Sequence, residues 1–255
     1  NGDPSWWEFC SPILFPIVGK VKNDKYKVYG NVYELPQYGL GRISEFELAN
    51  KTTDTVLFKL RYSDETLKVY PYKFELTVSY VLTSRSVNVT GEIDNLDDRE
   101  INFSIGAHSA LRSPIVAGEN FSDFYLDFHG EEHCENIKTD ADLLFLHDHE
   151  KDLDSDKMYL SYDIFKDGVH VFDNLKTGSI TLRSTKSKKA ITLSAPGYPY
   201  MEFGHQKGGA PFVCVEPWYV HADYADFDGD FKDKEGVIAL EKSKSFKTGY
   251  TLAIE

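Results

Sequence analysis

Positive charge is scarce in this chain: 28 Lys and Arg stand against 41 Asp and Glu among 255 residues, a formal net charge of −13. The deficit is spread along the sequence, and it argues against nucleic acid and against anionic membrane as partners, because both require basic patches. A small neutral or cationic ligand fits such a surface better. Cysteine is thin as well, with only Cys10, Cys134 and Cys214, an odd number without paired spacing. Reduced thiols are therefore expected, and with them a cytosolic protein. Asn-x-Ser/Thr triplets begin at Asn50, Asn88, Asn102 and Asn120. Without a signal peptide they are read as coincidence rather than as glycan acceptors. No apolar run approaches the length of a membrane span. A Gly-x-Ser-x-Gly elbow and a Gly-rich phosphate loop are both missing, so neither a serine nucleophile nor a cofactor is expected. No repeat, low-complexity tract or linker divides the chain, and 41% apolar residues suffice for one core.

What the sequence does hold is period-two alternation. Phe74, Leu76, Val78, Tyr80 and Leu82 face one way and Glu75, Thr77 and Ser79 the other, the pattern of a half-buried strand. Ser86 to Asp94 repeats it through Val87, Val89 and Ile93, and Thr83-Ser-Arg85 between them predicts a hairpin. Further strands are predicted at 55–61, 101–105, 124–128, 179–184, 190–194, 211–216 and 250–255. Many short strands with hardly any helical periodicity predict an all-β fold, a sandwich of antiparallel sheets. Between Gly130 and Asp167 the chain turns acidic and His-rich, with His133, His147, His149 and an Asp cluster from Asp148 to Asp156. His147-Asp-His149 lacks further ligands at usual spacing, so a solvated loop is expected there rather than a metal site. Asp226-Phe-Asp-Gly-Asp230 resembles an acidic calcium loop, but its Gly is misplaced and a closing Glu is missing, so a surface turn is expected.

Chemistry concentrates on two residues. Phe212-Val-Cys-Val215 is a continuous apolar run closed by Glu216 and Pro217, which predicts a buried strand with a carboxylate emerging at its end. A carboxylate among apolar neighbours tends to a raised pKa and to acid–base work, the plain alternative being an exposed strand-end Glu. Ile105-Gly-Ala-His108 places an imidazole just after a strand, behind two small residues. Such a His is a proton donor if a carboxylate supports it, and a hydrogen-bonded structural residue otherwise. Tyr38-Gly-Leu-Gly-Arg42 allows tight backbone geometry that presents Tyr38 and Arg42 to a cleft.

Trp7, Ser11-Pro-Ile-Leu-Phe-Pro-Ile-Val-Gly19, Tyr38-Gly-Leu-Gly-Arg42, Gly106-Ala-His108, Ala210-Pro-Phe-Val-Cys-Val-Glu-Pro-Trp218 and His221-Ala-Asp223 together resemble the aldose 1-epimerase (galactose mutarotase) family. The closest likeness is to the bacterial branch encoded with lactose and galactose operons, over nearly the whole chain. The resemblance implies a large antiparallel β-sandwich of the galactose-mutarotase type as a single domain over 1–255, lacking the strands that normally precede the Trp-Trp segment. It implies Glu216 as general base and His108 as general acid in opening and reclosing the ring of a free hexose, with no cofactor. It implies Arg42 as a donor to sugar hydroxyls and Trp218 as a wall for a pyranose face. Where the family has His-Gly-Phe this chain has Tyr38-Gly-Leu40, and Lys20 stands where an Arg is common. The family's sugar-binding Asp falls near Ser161, with Asp163 the nearest carboxylate. A sugar-binding or regulatory protein on the same scaffold is the alternative that the Tyr38 substitution suggests. Scarce Lys and Arg near the motifs disfavour a hexose-6-phosphate.

Overall fold

The computed structural model describes residues 3–173, 175–206 and 208–255; Asn1 and Gly2 of the opening segment, and the side chains of Lys151 and Asp152 in the acidic cluster, lie outside that description. Two antiparallel sheets dominate. The larger has nine strands in the order Phe145–Tyr159, Phe124–Thr139, Ser179–Ser184, Ala190–Ser194, Ser245–Ile254, Ser86–Asn95, Phe74–Leu82, Thr55–Arg61 and Glu47–Lys51. The smaller runs Ile13–Leu14, Gly106–Ala107, Phe212–Trp218, Tyr200–Gly204 and His170–Phe172, with Ser109–Arg112 also paired to the central strand. Two α-helices are short, Leu40–Ile43 and Asp64–Val69. No helix among the described residues is long and apolar enough to cross a membrane.

Alternation explains which way each strand faces. Leu76, Val78, Val89, Ile93, Leu182 and Leu193 of the large sheet share one buried cluster with Met201, Phe203, Val213, Val215 and Phe172 of the small one. Fully burying a side chain such as Phe203 stabilises the fold by roughly 1.5–3 kcal/mol before entropy is counted. The alternate residues of the small sheet therefore point away from this core. Leu14, Val171 and Trp218 join Tyr38, Ile137, Phe145 and Ala222 in a second apolar cluster on the opposite face. Both faces of the small sheet are thus covered, which explains why the 212–215 run is apolar throughout.

The acidic segment departs from expectation. Residues 130–159 are not a loop but most of a long hairpin, Phe124–Thr139 against Phe145–Tyr159. Register shifts after Asp127, Cys134 and Ile137 break the strict alternation, and the arm projects polar residues on both faces, so no period of two survives in the sequence. His147 there faces Asp226 at 3.1 Å and stacks on Tyr224. Asp226–Asp230 is a turn, as expected, and its Asp228 pairs with Lys27.

Candidate active site

Glu216 does not end its strand: Phe212–Trp218 continues through Pro217, and Glu216 lies inside the small sheet. Cys214, Glu216 and Trp218 alternate with Val213 and Val215 and face away from the main core. Register then decides their neighbours. Ser109 lies opposite Val215 and Gly106 opposite Trp218, so the same register sets His108 opposite Glu216. On the other side Glu202 lies opposite Glu216, and Val171 opposite Glu202. His108, Glu216 and Glu202 therefore form one row across three neighbouring strands. Directly opposed side chains on a sheet face lie within contact distance.

The row is buried, with 8% of His108, 1% of Glu216 and 2% of Glu202 exposed. His108 Nε2 lies 3.0 Å from Glu216 Oε1. The Trp218 indole N–H donates to Glu216 Oε2 at 3.2 Å. Burial pushes Glu216 well above the usual carboxylate range, and repulsion and hydrogen bonding from Glu202 push it further. Burial also raises Glu202, to about 7, against lowering by its hydrogen bond to Glu216 and by His170. His108 moves the other way, down to about 3, chiefly because burial penalises its cation, with the Arg42 charge adding to the effect. The unliganded pair is thus a neutral imidazole beside a protonated carboxyl, the form that a water-poor site favours. His108, Cys214 and Glu216 bring three ligand-type atoms within 4.8 Å of one another. The 3.0 Å contact of Glu216 Oε1 with His108 Nε2 and the hydrogen bond of Glu216 with Cys214 account for that closeness.

Tyr38 reaches the row from the turn before the Leu40–Ile43 helix, and Arg42 from within that helix. That turn is stitched to the 13–19 segment by Tyr38 N–H to the Gly19 carbonyl, Phe15 N–H to the Tyr38 carbonyl and Gly41 N–H to the Phe15 carbonyl. Gly41 permits the approach, since a Cβ there would lie 2.5 Å from the Ile13 carbonyl oxygen. Tyr38 itself is held at φ +67°, a left-handed conformation that costs a non-glycine residue about 1–3 kcal/mol. Its ring meets the His108 imidazole edge-on, 5.1 Å between centroids. Burial first, and then the two glutamates, keep its hydroxyl neutral by raising it well above its ordinary value. The Arg42 guanidinium lies over the Phe9 ring at 4.6 Å and the Tyr38 ring at 5.4 Å, and its Nε is buried with no hydrogen-bond partner among the described residues.

Three expected substrate ligands sit differently. Trp218 is 3% exposed and packed in the second apolar cluster, with its indole N–H turned to Glu216. Asp163, itself exposed, opens the 3-10 turn Asp163–Phe165, and no hydrogen bond or ion pair among the described residues ties it to the row. Lys20 is half-buried and contributes its carbonyl, which accepts from Asp223 N–H. No hydrogen bond or ion pair among the described residues ties its amine to the row. Two participants were missed. Trp7 stacks on His108, 4.3 Å between centroids. Glu202 hides in Tyr200-Met-Glu-Phe-Gly204, where its only signal is alternation with the core residues Met201 and Phe203.

Comparison with known proteins matches this geometry to a family. The family model described as aldose 1-epimerase matches residues 3–239. The plasmid-encoded protein LacX of Lactococcus lactis subsp. lactis is 31% identical over 265 residues, covering 100% of this chain and 88% of its own. A galactose mutarotase related enzyme from Lactobacillus acidophilus superposes with a TM-score of 0.94 at 32% identity, over 99% of this chain and 85% of its own. A galactose mutarotase-like protein from Lactobacillus casei does so with a TM-score of 0.92 at 26% identity, over 100% of this chain and 88% of its own. The two-sheet fold is that of these mutarotase-like structures, and the chain belongs to the aldose 1-epimerase family of isomerases.

Proposed function

We propose that the protein interconverts the α and β anomers of a free aldohexose, with Glu216 as general base and His108 as general acid. The observation that carries this reading is the 3.0 Å contact between His108 Nε2 and Glu216 Oε1 in a buried row. In a cyclic sugar the anomeric hydroxyl and the ring oxygen are bonded to one carbon. A base for the first and an acid for the second must therefore be close neighbours. Glu216 takes the anomeric proton while His108 delivers one to the ring oxygen. The C1–ring oxygen bond breaks and an open-chain aldehyde remains. Rotation about C1–C2 and the reverse transfers close the other anomer, with no net change in protons.

The working pair is imidazolium and carboxylate, one proton's shift along the 3.0 Å contact from the resting neutral pair. Ring opening discharges that ion pair, which a water-poor site favours. Arg42 and Tyr38 beside His108 supply donors for sugar hydroxyls. The likeness to galactose mutarotase-like proteins supports galactose as the hexose.

Polarimetry of freshly dissolved α-hexoses tests the proposal. Pure protein is expected to speed the approach to equilibrium, and Glu216→Gln and His108→Asn to lower the rate by about 10²-fold or more each. No acceleration over several hexoses by the unaltered protein overturns it. Calorimetric binding without turnover would mark a sugar-binding protein instead.

A further inference from the structure

Acid–base chemistry on the His108–Glu216 pair uses two members of a row of three. Glu202 is the third, and three observations set it apart from an ordinary core residue. It lies directly across the ladder from Glu216, and each is almost completely buried. Its Oε2 has no hydrogen-bond partner among the described residues. Gly204, two residues on and on the same face, leaves room for it: a Cβ at Gly204 would stand 2.5 Å from Glu202 Oε1. Two carboxylates stay in contact out of water only with a proton between them or a cation beside them. Such a pair is costly, and an apolar side chain at position 202 would fill the same space without that cost.

We propose that Glu202 is a positioning residue of the acid–base pair, sharing a proton with Glu216 and so keeping His108–Glu216 loaded with the one proton that ring opening relays. The functional half of this statement rests on the epimerase reading above; the proton sharing does not. Ring opening requires the pair to hold one proton at the start, on His108, and one at the end, on Glu216. Loss of that proton to solvent stops turnover. An anionic Glu202 opposes formation of a second carboxylate beside it, so the pair keeps its proton to higher pH. The raised proton affinities of both glutamates agree with this arrangement. The other titratable or charged groups facing the dyad are Cys214 on the strand of Glu216, His108 opposite, His170 on the strand beyond Glu202, Tyr38 from the turn and Arg42 from the helix after it. Cys214 and Tyr38 stay neutral, since burial lifts each well above its ordinary value.

The test is a carboxyl carbon NMR titration of glutamate-labelled protein, run beside the pH profile of anomerisation, for the unaltered chain, Glu202→Gln and Gly204→Ala. In the unaltered chain the two carboxyls are expected to titrate in coupled steps above the normal carboxylate range. In Glu202→Gln the Glu216 step and the alkaline limb of turnover are expected to fall together by about one pH unit or more, because the neighbouring charge is gone. Gly204→Ala, which displaces the Glu202 carboxyl without changing charge, is expected to move both in the same direction by less. A merely structural Glu202 would lower rate or stability and leave both titrations in place. Ordinary, uncoupled titration of both glutamates in the unaltered chain overturns the proposal even if Glu202→Gln does not fold. Coupled titration in a protein without anomerase activity would keep the dyad and remove the epimerase reading alone.

Discussion

Trp218 and Glu202 press on Glu216 from different sides with opposite effect. The indole N–H stabilises the carboxylate and lowers its proton affinity, whereas Glu202 raises it. Trp218→Phe keeps most of the packing and removes the donor. A hydrogen bond to a charged group is worth about 1.5–3 kcal/mol, so turnover in this variant is expected to fall roughly tenfold or more. Its alkaline limb is expected to move up, opposite to Glu202→Gln, and the two pH profiles compared side by side check the sign. At this scale the sequence was most informative where a side chain stands in an ordered motif. His108 and Glu216 were legible as candidates and the structure brings them together. The Trp218 hydrogen bond to Glu216 was not legible, since a distance of two residues on one strand face becomes a hydrogen bond only when the strand extends through Pro217.

Elements carry the site through their backbones. The segment 13–22 is the platform for the Tyr38 turn, and Asp223 clamps its end: its N–H donates to the Lys20 carbonyl and its Oδ2 accepts from Lys22 N–H at 3.1 Å. Lys234 Nζ holds the other oxygen, Oδ1, at 2.5 Å, and both side chains of this ion pair are buried. Burial lowers the Lys234 proton affinity against the opposing pull of Asp223. Lys234→Met leaves Asp223 as an uncompensated buried carboxylate, and removing one partner of such a pair costs about 3–5 kcal/mol. Urea unfolding at neutral pH is expected to show a loss of that size. A loss below about 1 kcal/mol, the range of an exposed surface pair, would mean that the clamp is loose. Short strands rich in β-branched and aliphatic residues were legible to the residue, as at Thr55–Arg61, Phe74–Leu82, Ser179–Ser184 and Ala190–Ser194. The long hairpin was not, because bulges reset its register. The Tyr200–Gly204 strand was hidden by Pro199 before it and by a Glu where an apolar residue would be expected.

Across the whole molecule, buried imidazoles couple folding to acid. Burial, with the nearby Lys234 charge, lowers His221 from 6.5 to about 4, and its ring stacks on Phe145 at 4.8 Å between centroids. The unfolded chain binds this proton near 6.5 and the native one resists it down to about 4. The resulting stability is full above pH 6.5 and is lost as the pH falls through that interval. His108 acts in the same sense, while Glu202, raised from 4.5 to about 7, acts oppositely. A comparison with a His221→Asn variant isolates one group. Between pH 7.5 and 4.5 the unaltered protein is expected to lose about 2–3 kcal/mol more stability than the variant, by the free energy per pKa unit. Equal losses in urea titrations at the two pH values would contradict a buried neutral His221.

The amino-acid sequence by itself determined the all-β character, the antiparallel class and the motifs that carry His108 and Glu216, because alternation and ordered local motifs are properties of neighbouring residues. Only the tertiary structure decided that Glu216 lies within its strand, that Glu202 shares its row, and that the Trp218 indole donates to the carboxylate. Those facts depend on the register between strands distant in sequence. Register is set by the packing of two whole sheets on one core, and no local stretch of chain contains it.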